Sequence, residues 1–205
     1  MKGKIIAIVG SPAVGKSFLA KILAREINAK CFLEGEEKDL PKRITFLLKH
    51  NKMNLELIIW FRNKLAKEII EAKNLASKGK NVVLDTFWLS NKPYIESMPK
   101  GFEKQLALEL LSLDRKFLPF PDLTIFLKAT KHTISKLASK RKRSFELKKR
   151  NFIKNAIIIQ KLHEKTFTKK SLKGKLITIN RDSLDFGKEK DMKKLLKKLK
   201  FSKNK

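Results

Sequence analysis

The sequence is poor in the residues that build cross-links, metal cages and membrane spans. Among 205 residues there is one cysteine, Cys31, so a disulfide framework is excluded. The three histidines, His50, His132 and His163, show no ligand spacing, and with a single thiol no zinc site is expected. No apolar run approaches the roughly 18 residues of a membrane span, so no membrane partner is expected. The first residues read as a strand running into a loop and not as a signal peptide, which points to a cytoplasmic protein. There is no internal repeat and no linker-like stretch. One domain is therefore expected over 1–200, with a frayed basic tail at 201–205. Hydrophobic residues make up 42%, enough to exclude wholesale disorder.

Acidic residues are scarce as well. Twenty Asp and Glu face 49 Lys and Arg, a net charge of +29. The excess concentrates at 128–154 and 161–205. Such a field attracts phosphates and nucleic acids. Most of the cations are lysines, whereas specific phosphate and base readout favours the fork of arginine. The simpler account is a lysine-biased composition, with nucleic acid kept as an alternative partner.

Apolar runs alternate with helical periods along the chain. Lys4 to Val9 is a continuous apolar run ending at a glycine, as in a buried parallel strand. A helical period follows over 17–28, then a short strand at 30–33. A long helix is expected over 54–77, stopped by Lys78-Gly79-Lys80. Strands are expected at 81–84, 123–127 and 175–179, and helices at 103–117, 130–141, 145–168 and 189–200. Phe117 to Pro121 reads as a turn. The alternation implies βαβ crossovers and an α/β fold. With Gly10-x-x-x-x-Gly15-Lys16-Ser17 between the first strand and the first helix, the expected architecture is a three-layer P-loop NTPase fold with a mainly parallel five-stranded sheet flanked by helices.

Gly10-Ser11-Pro12-Ala13-Val14-Gly15-Lys16-Ser17 matches G-x-x-x-x-G-K-S without a gap, between a strand and a helix. Glycine geometry there turns backbone N–H groups inward, and loop and helix N-terminus together wrap a phosphate. Lys16 reaches the β- and γ-phosphates and the Ser17 hydroxyl can ligate Mg²⁺. Asp85 ends the third strand, where ligands of parallel sheets gather, and can serve the same Mg²⁺. Glu34 ends the second strand and faces the same crevice, placed to accept a proton from an acceptor hydroxyl, with Glu36 and Glu37 as neighbouring acids. Lys140-Arg141-Lys142-Arg143 precedes Glu146 and forms either a phosphate clamp or a solvated basic face.

Taken in order, these residues resemble the deoxynucleoside kinase family, close relatives of the thymidylate kinases, over most of the chain. Phe32-Leu33-Glu34 lies eighteen residues after Lys16, as in the deoxynucleoside kinases, and no Arg-Glu-Pro-Gly-Gly sequence of the thymidylate kinases is present. Val82-Val83-Leu84-Asp85-Thr86 resembles the strand that ends in Asp/Glu-Arg-Ser. Pro121-Asp122-Leu123 is similar to a strand start shared by both families. Arg141-x-Arg143-x-x-Glu146 resembles the lid, expected at about 139–147, and Ser183-Leu184-Asp185-Phe186 the loop against adenine.

The resemblance implies ATP and Mg²⁺ as cofactors, contacted by residues 10–18, including Phe18, and by Asp185 and Phe186. It implies Glu34 as the base for a nucleoside 5′-hydroxyl. Lys16, Asp85, Arg141 and Arg143 would complete the catalytic set, with Glu56 and Glu146 on the substrate. It also implies a homodimer through helices beside the sheet, with 54–77 as a candidate surface. The activity implied is phosphoryl transfer to a (deoxy)nucleoside. The alternatives are a thymidylate-type monophosphate kinase and an NTP-binding protein associated with nucleic acid. Two departures stand out. The family's arginine after the strand-end acid is Thr86 here, and 54–77 holds no glutamine to read a base.

Overall fold

A computed structural model describes residues 2–35, 39–50, 54–141 and 151–199. Their centre is a five-stranded sheet in the order β2-β3-β1-β4-β5, with every pairing parallel. The strands are β1 (Ile5–Gly10), β2 (Lys30–Phe32), β3 (Val82–Asp85), β4 (Leu123–Lys128) and β5 (Lys175–Asn180). The helices are α1 (Lys16–Glu26), α2 (Lys42–Lys49), α3 (Leu55–Ser77), α4 (Asn91–Ser97), α5 (Phe102–Phe117), α6 (Lys131–Arg141), α7 (Phe152–Thr166) and α8 (Glu189–Lys198).

β1 is apolar throughout because both its faces are covered. Ile6 and Ile8 pack with Leu19 and Leu23 of α1, Ile134 of α6 and Leu195 of α8. Ile5, Ala7 and Val9 point the other way, into Leu65 and Ile69 of α3, Ile95 of α4 and Leu111 of α5. The period-two alternation of one strand thus divides the core into two layers.

Asn54 caps α3 by accepting from the Leu57 amide at 3.1 Å, and the left-handed Gly79 (φ 82°) follows its C-terminus. At the opposite end of the strands, Asp122 accepts from the Ile5 amide at 2.7 Å and pins the start of β4 to the start of β1. The Pro-Asp-Leu segment therefore lies at the end of the sheet remote from the glycine loop and holds register. In the Phe117–Pro121 turn, the Pro119 carbonyl accepts from the Trp88 indole at 2.9 Å, and Trp88 packs edge-on against Phe120.

The sequence periods leave α2 and α4 unassigned. Both are short and take their place from packing. Ile44 and Leu47 of α2 meet Leu57 of α3, while α4 lies against α3, α5 and α7. The described part of α7 starts at Phe152, later than the 145 expected. No described helix is long and apolar enough to cross a membrane.

Candidate functional site

The carboxyl ends of β1, β2 and β3 lie side by side. In register, Ile8 of β1 faces Asp85 of β3, and Phe32 of β2 faces Leu84. Strand order reverses around β1, so the crevice above it is where a doubly wound sheet places a ligand.

The loop between β1 and α1 is shaped by close approach. Gly10 pairs with Leu127 of β4, and a Cβ there would lie 2.6 Å from the Leu127 carbonyl oxygen. Only glycine fits. Gly15 caps α1 with φ 96°, and Ala13 also adopts a positive φ, 61°. No side chain caps α1 and its first turn has no acid, so the positive end of the helix is left for a ligand. The Lys16 ammonium donates to the Ser11 carbonyl at 3.3 Å, closing the loop on itself. The Ser11 hydroxyl is fully buried with no hydrogen-bond partner among the described residues. Glycine cradle, uncapped helix and orphan hydroxyl fit an anionic group such as a phosphate. Val14 is buried beneath the loop, Pro12 and Ser17 are half-buried, and Phe18 is exposed in the first turn of α1.

A second group, acidic, stands on the other side of β1. Asp85 is buried at 1% exposure. Glu34 follows β2 and is half-buried. Glu68, one face of α3 away, completes the group. Burial, reinforced by the charges of Glu34 and Asp85, raises the Glu68 carboxyl above its ordinary range although Lys64 opposes the shift. Lys64 bonds to Glu68 and donates to the Leu33 carbonyl at 3.0 Å, tying α3 to the end of β2. The same pocket pushes the half-buried Cys31 thiol up to about 11, by burial first and then by Asp85.

Glu56 does not join this group. It sits in the exposed first turn of α3, with its carboxylate bidentate to Arg43 of α2 at 2.9–3.2 Å. At 1.5 Å per residue it lies about 18 Å along the helix from Glu68. The acid that α3 brings to Glu34 and Asp85 is Glu68. The sequence signal was its place in the i, i+4 pair with Lys64, next to the core position Ile69.

Thr86, after Asp85, is 5% exposed and holds φ at 85°, an uncommon conformation for a β-branched residue. Its amide donates to the Ile8 carbonyl at 2.9 Å, so the backbone leaves β3 by a sharp turn next to β1.

Behind β5, Asp185 is exposed and its carboxylate is lowered first by the Gly187 amide and then by Arg181. Phe186 is not exposed. At 1% it packs into the core beside Gly15, and the Arg181 guanidinium covers its ring at 4.0 Å. In the core, stacked with Phe126 and Phe167, His163 is 1% exposed and burial drives its pKa down to about 4, with a smaller contribution from the Lys16 charge. Of the lid, the described residues end with α6 at Arg141. The Arg141 side chain, Arg143 and Glu146 lie outside the described residues. Among the described residues no cluster of acids, histidine and cysteine has the form of a metal cage.

No protein-family model matches the sequence, and no curated protein does. Solved structures do match. A deoxyadenosine kinase from M. mycoides with bound dATP superposes with a TM-score of 0.77 at 17% identity, covering 96% of this chain and 99% of that one. The same kinase with dCMP and a flexible dCDP gives 0.75 at 18%, over 96% and 98%. The fold is that of the deoxynucleoside and thymidylate kinases. A thymidylate kinase from Candida albicans gives 0.67 at 18%, over 97% and 93%. The resemblance read from short sequence segments thus extends to the whole architecture, including the five-stranded parallel sheet.

Proposed function

We propose that the chain transfers the γ-phosphoryl group of ATP to the 5′-hydroxyl of a (deoxy)nucleoside. The kinase fold, with structural neighbours bound to dATP, dCMP and dCDP, supports a nucleoside or nucleotide kinase. The observation that carries the finer reading is the charge of the acceptor side. Glu34, Asp85 and Glu68 converge there with Lys64, and Lys64 is already committed to Glu68 and the Leu33 carbonyl. A neutral hydroxyl enters such a pocket at less electrostatic cost than a phosphate dianion.

In this scheme the loop amides of 10–17 hold the triphosphate, with Phe18 beside them and the Asp185–Phe186 loop on the adenine side. Glu34 accepts the proton of the 5′-hydroxyl as its oxygen bonds to the γ-phosphorus. The bond to the β–γ bridging oxygen breaks and ADP leaves. Lys16 swings from the Ser11 carbonyl to the phosphates and, with Arg141 and Arg143, neutralises charge on the transferred group. Ser17 and the buried carboxylate of Asp85 are an oxygen donor set suited to Mg²⁺, which supplies further neutralisation of the triphosphate when bound. Glu146 would close on the sugar.

The test is product formation from labelled ATP with separate panels of nucleosides and nucleoside monophosphates. Labelled nucleoside monophosphate is the expected product, and the panel names the base. Product from monophosphates alone would transfer the protein to the thymidylate type. ATP binding without any small-molecule product would turn attention to polynucleotides.

A further inference from the structure

Arg181 lies in the 3₁₀ turn Arg181–Ser183 after β5, outside the segments assigned above from the resemblance. It is 8% exposed, so the guanidinium is buried. One side of it stacks on Phe186 at 4.0 Å. Its Nε comes within 3.6 Å of where a Cβ on Gly15 would stand, at the rim of the glycine loop. Nε–H has no hydrogen-bond partner among the described residues. The nearest carboxylate, Asp185, stands 3.7 Å from Nη2 and is itself half in solvent.

That placement is electrostatically costly. A guanidinium stays charged in proteins. Here it is buried beside Gly15 at the uncapped, positive end of α1; the carboxylates of Asp185, Asp191 and Asp182 lie around it, but none meets Nε–H. A buried cation with an unmet N–H donor against a helix N-terminus is complemented by an anionic oxygen.

We propose that Arg181 is a phosphate-binding residue of the donor site, its Nε–H directed at the phosphate chain of a triphosphate seated on residues 10–17. Phe186 holds the guanidinium plane in place, so the cation stands ready at the rim of the loop independently of the lid. The assignment rests on the reading of the loop as a triphosphate site.

The experiment measures affinity for ATP and for inorganic triphosphate by calorimetry, with the melting temperature of the ligand-free protein, in wild type, Lys16→Ala, Arg181→Lys and Arg181→Met. Methionine keeps an apolar stem on Phe186. The expected result is a loss of about tenfold or more for both ligands in Arg181→Met, partial retention in Arg181→Lys, and a ligand-free melting temperature in Arg181→Met equal to or above wild type. Wild-type affinity for both ligands in Arg181→Met would overturn the assignment while leaving the loop's role intact. A loss confined to ATP would also overturn it, by placing the contact on the nucleoside part. If the wild-type chain binds neither ligand, the assignment falls together with the reading of the loop.

Discussion

The two sides of the crevice over β1 are built by opposite means. On the proposed donor side the phosphate loop is one continuous segment, Gly10–Phe18, shaped by backbone conformation. Gly10 admits no side chain against Leu127, Gly15 turns the chain into α1, and cations supply the charge. The acceptor side has no segment of its own. It is assembled from the end of β2, the end of β3 and the fourth turn of α3, and its charge is negative. Phosphate recognition through backbone amides is local and can be written as a motif. A proton acceptor is defined by its neighbours, and those come from far along the chain.

The comparison can be broken or sharpened by substitution. The largest effect belongs to Lys16. Lys16→Ala should lower phosphoryl transfer by about a thousandfold and weaken ATP binding as well, because charge on the triphosphate is met there in ground and transition states alike. Transfer within threefold of wild type would remove the donor side from the account. Next comes Glu34→Gln, expected to reduce kcat by about a hundredfold or more with ATP affinity unchanged. A parallel loss of ATP affinity would mean that the two sides are not separable.

His163 is buried in the core, stacked with Phe126 and Phe167. Its folded pKa of about 4 lies under the ordinary 6.5, so the unfolded chain binds the proton first as the solution is acidified. Its contribution is complete above pH 6.5 and is lost as pH falls toward 4, amounting to about 3 kcal/mol. Denaturant unfolding should show that fall in wild type and a flatter profile in His163→Gln over the same window. Equal slopes would contradict the neutral, buried histidine.

The smallest effect is at Glu68. Its folded pKa is raised, so its contribution is present below the ordinary 4.5 and is lost as pH rises through the folded value. The melting temperature of Glu68→Gln relative to wild type should therefore rise between pH 4 and pH 7. The change is small, because Lys64 offsets part of the penalty. A relative fall would mean that the Lys64 pair outweighs burial.

Much of the fold was legible because its signals are periodic and local. The apolar run of β1 and the Lys78-Gly79-Lys80 stop set element boundaries that the structure matches within a residue or two. The parallel sheet followed from alternation. What escaped depends on packing across the chain. The short α2 and α4 take their form from neighbours rather than from period. Glu56 and Glu68 are both acids of α3, and only the register of the helix against β3 separates an exposed partner of Arg43 from a neighbour of Asp85. Asp122 sits in a segment similar to a kinase family, yet it holds the starts of β1 and β4 together, away from the crevice. Arg181 is one cation among 49, distinguished by burial alone.

The most direct test is single-turnover transfer of γ-labelled phosphate to a nucleoside in wild type and Glu34→Gln, with ATP affinity measured on the same samples. The account predicts transfer in wild type, a loss of about a hundredfold in the variant, and one ATP affinity for both. Full-rate transfer by the Glu34→Gln protein would contradict it.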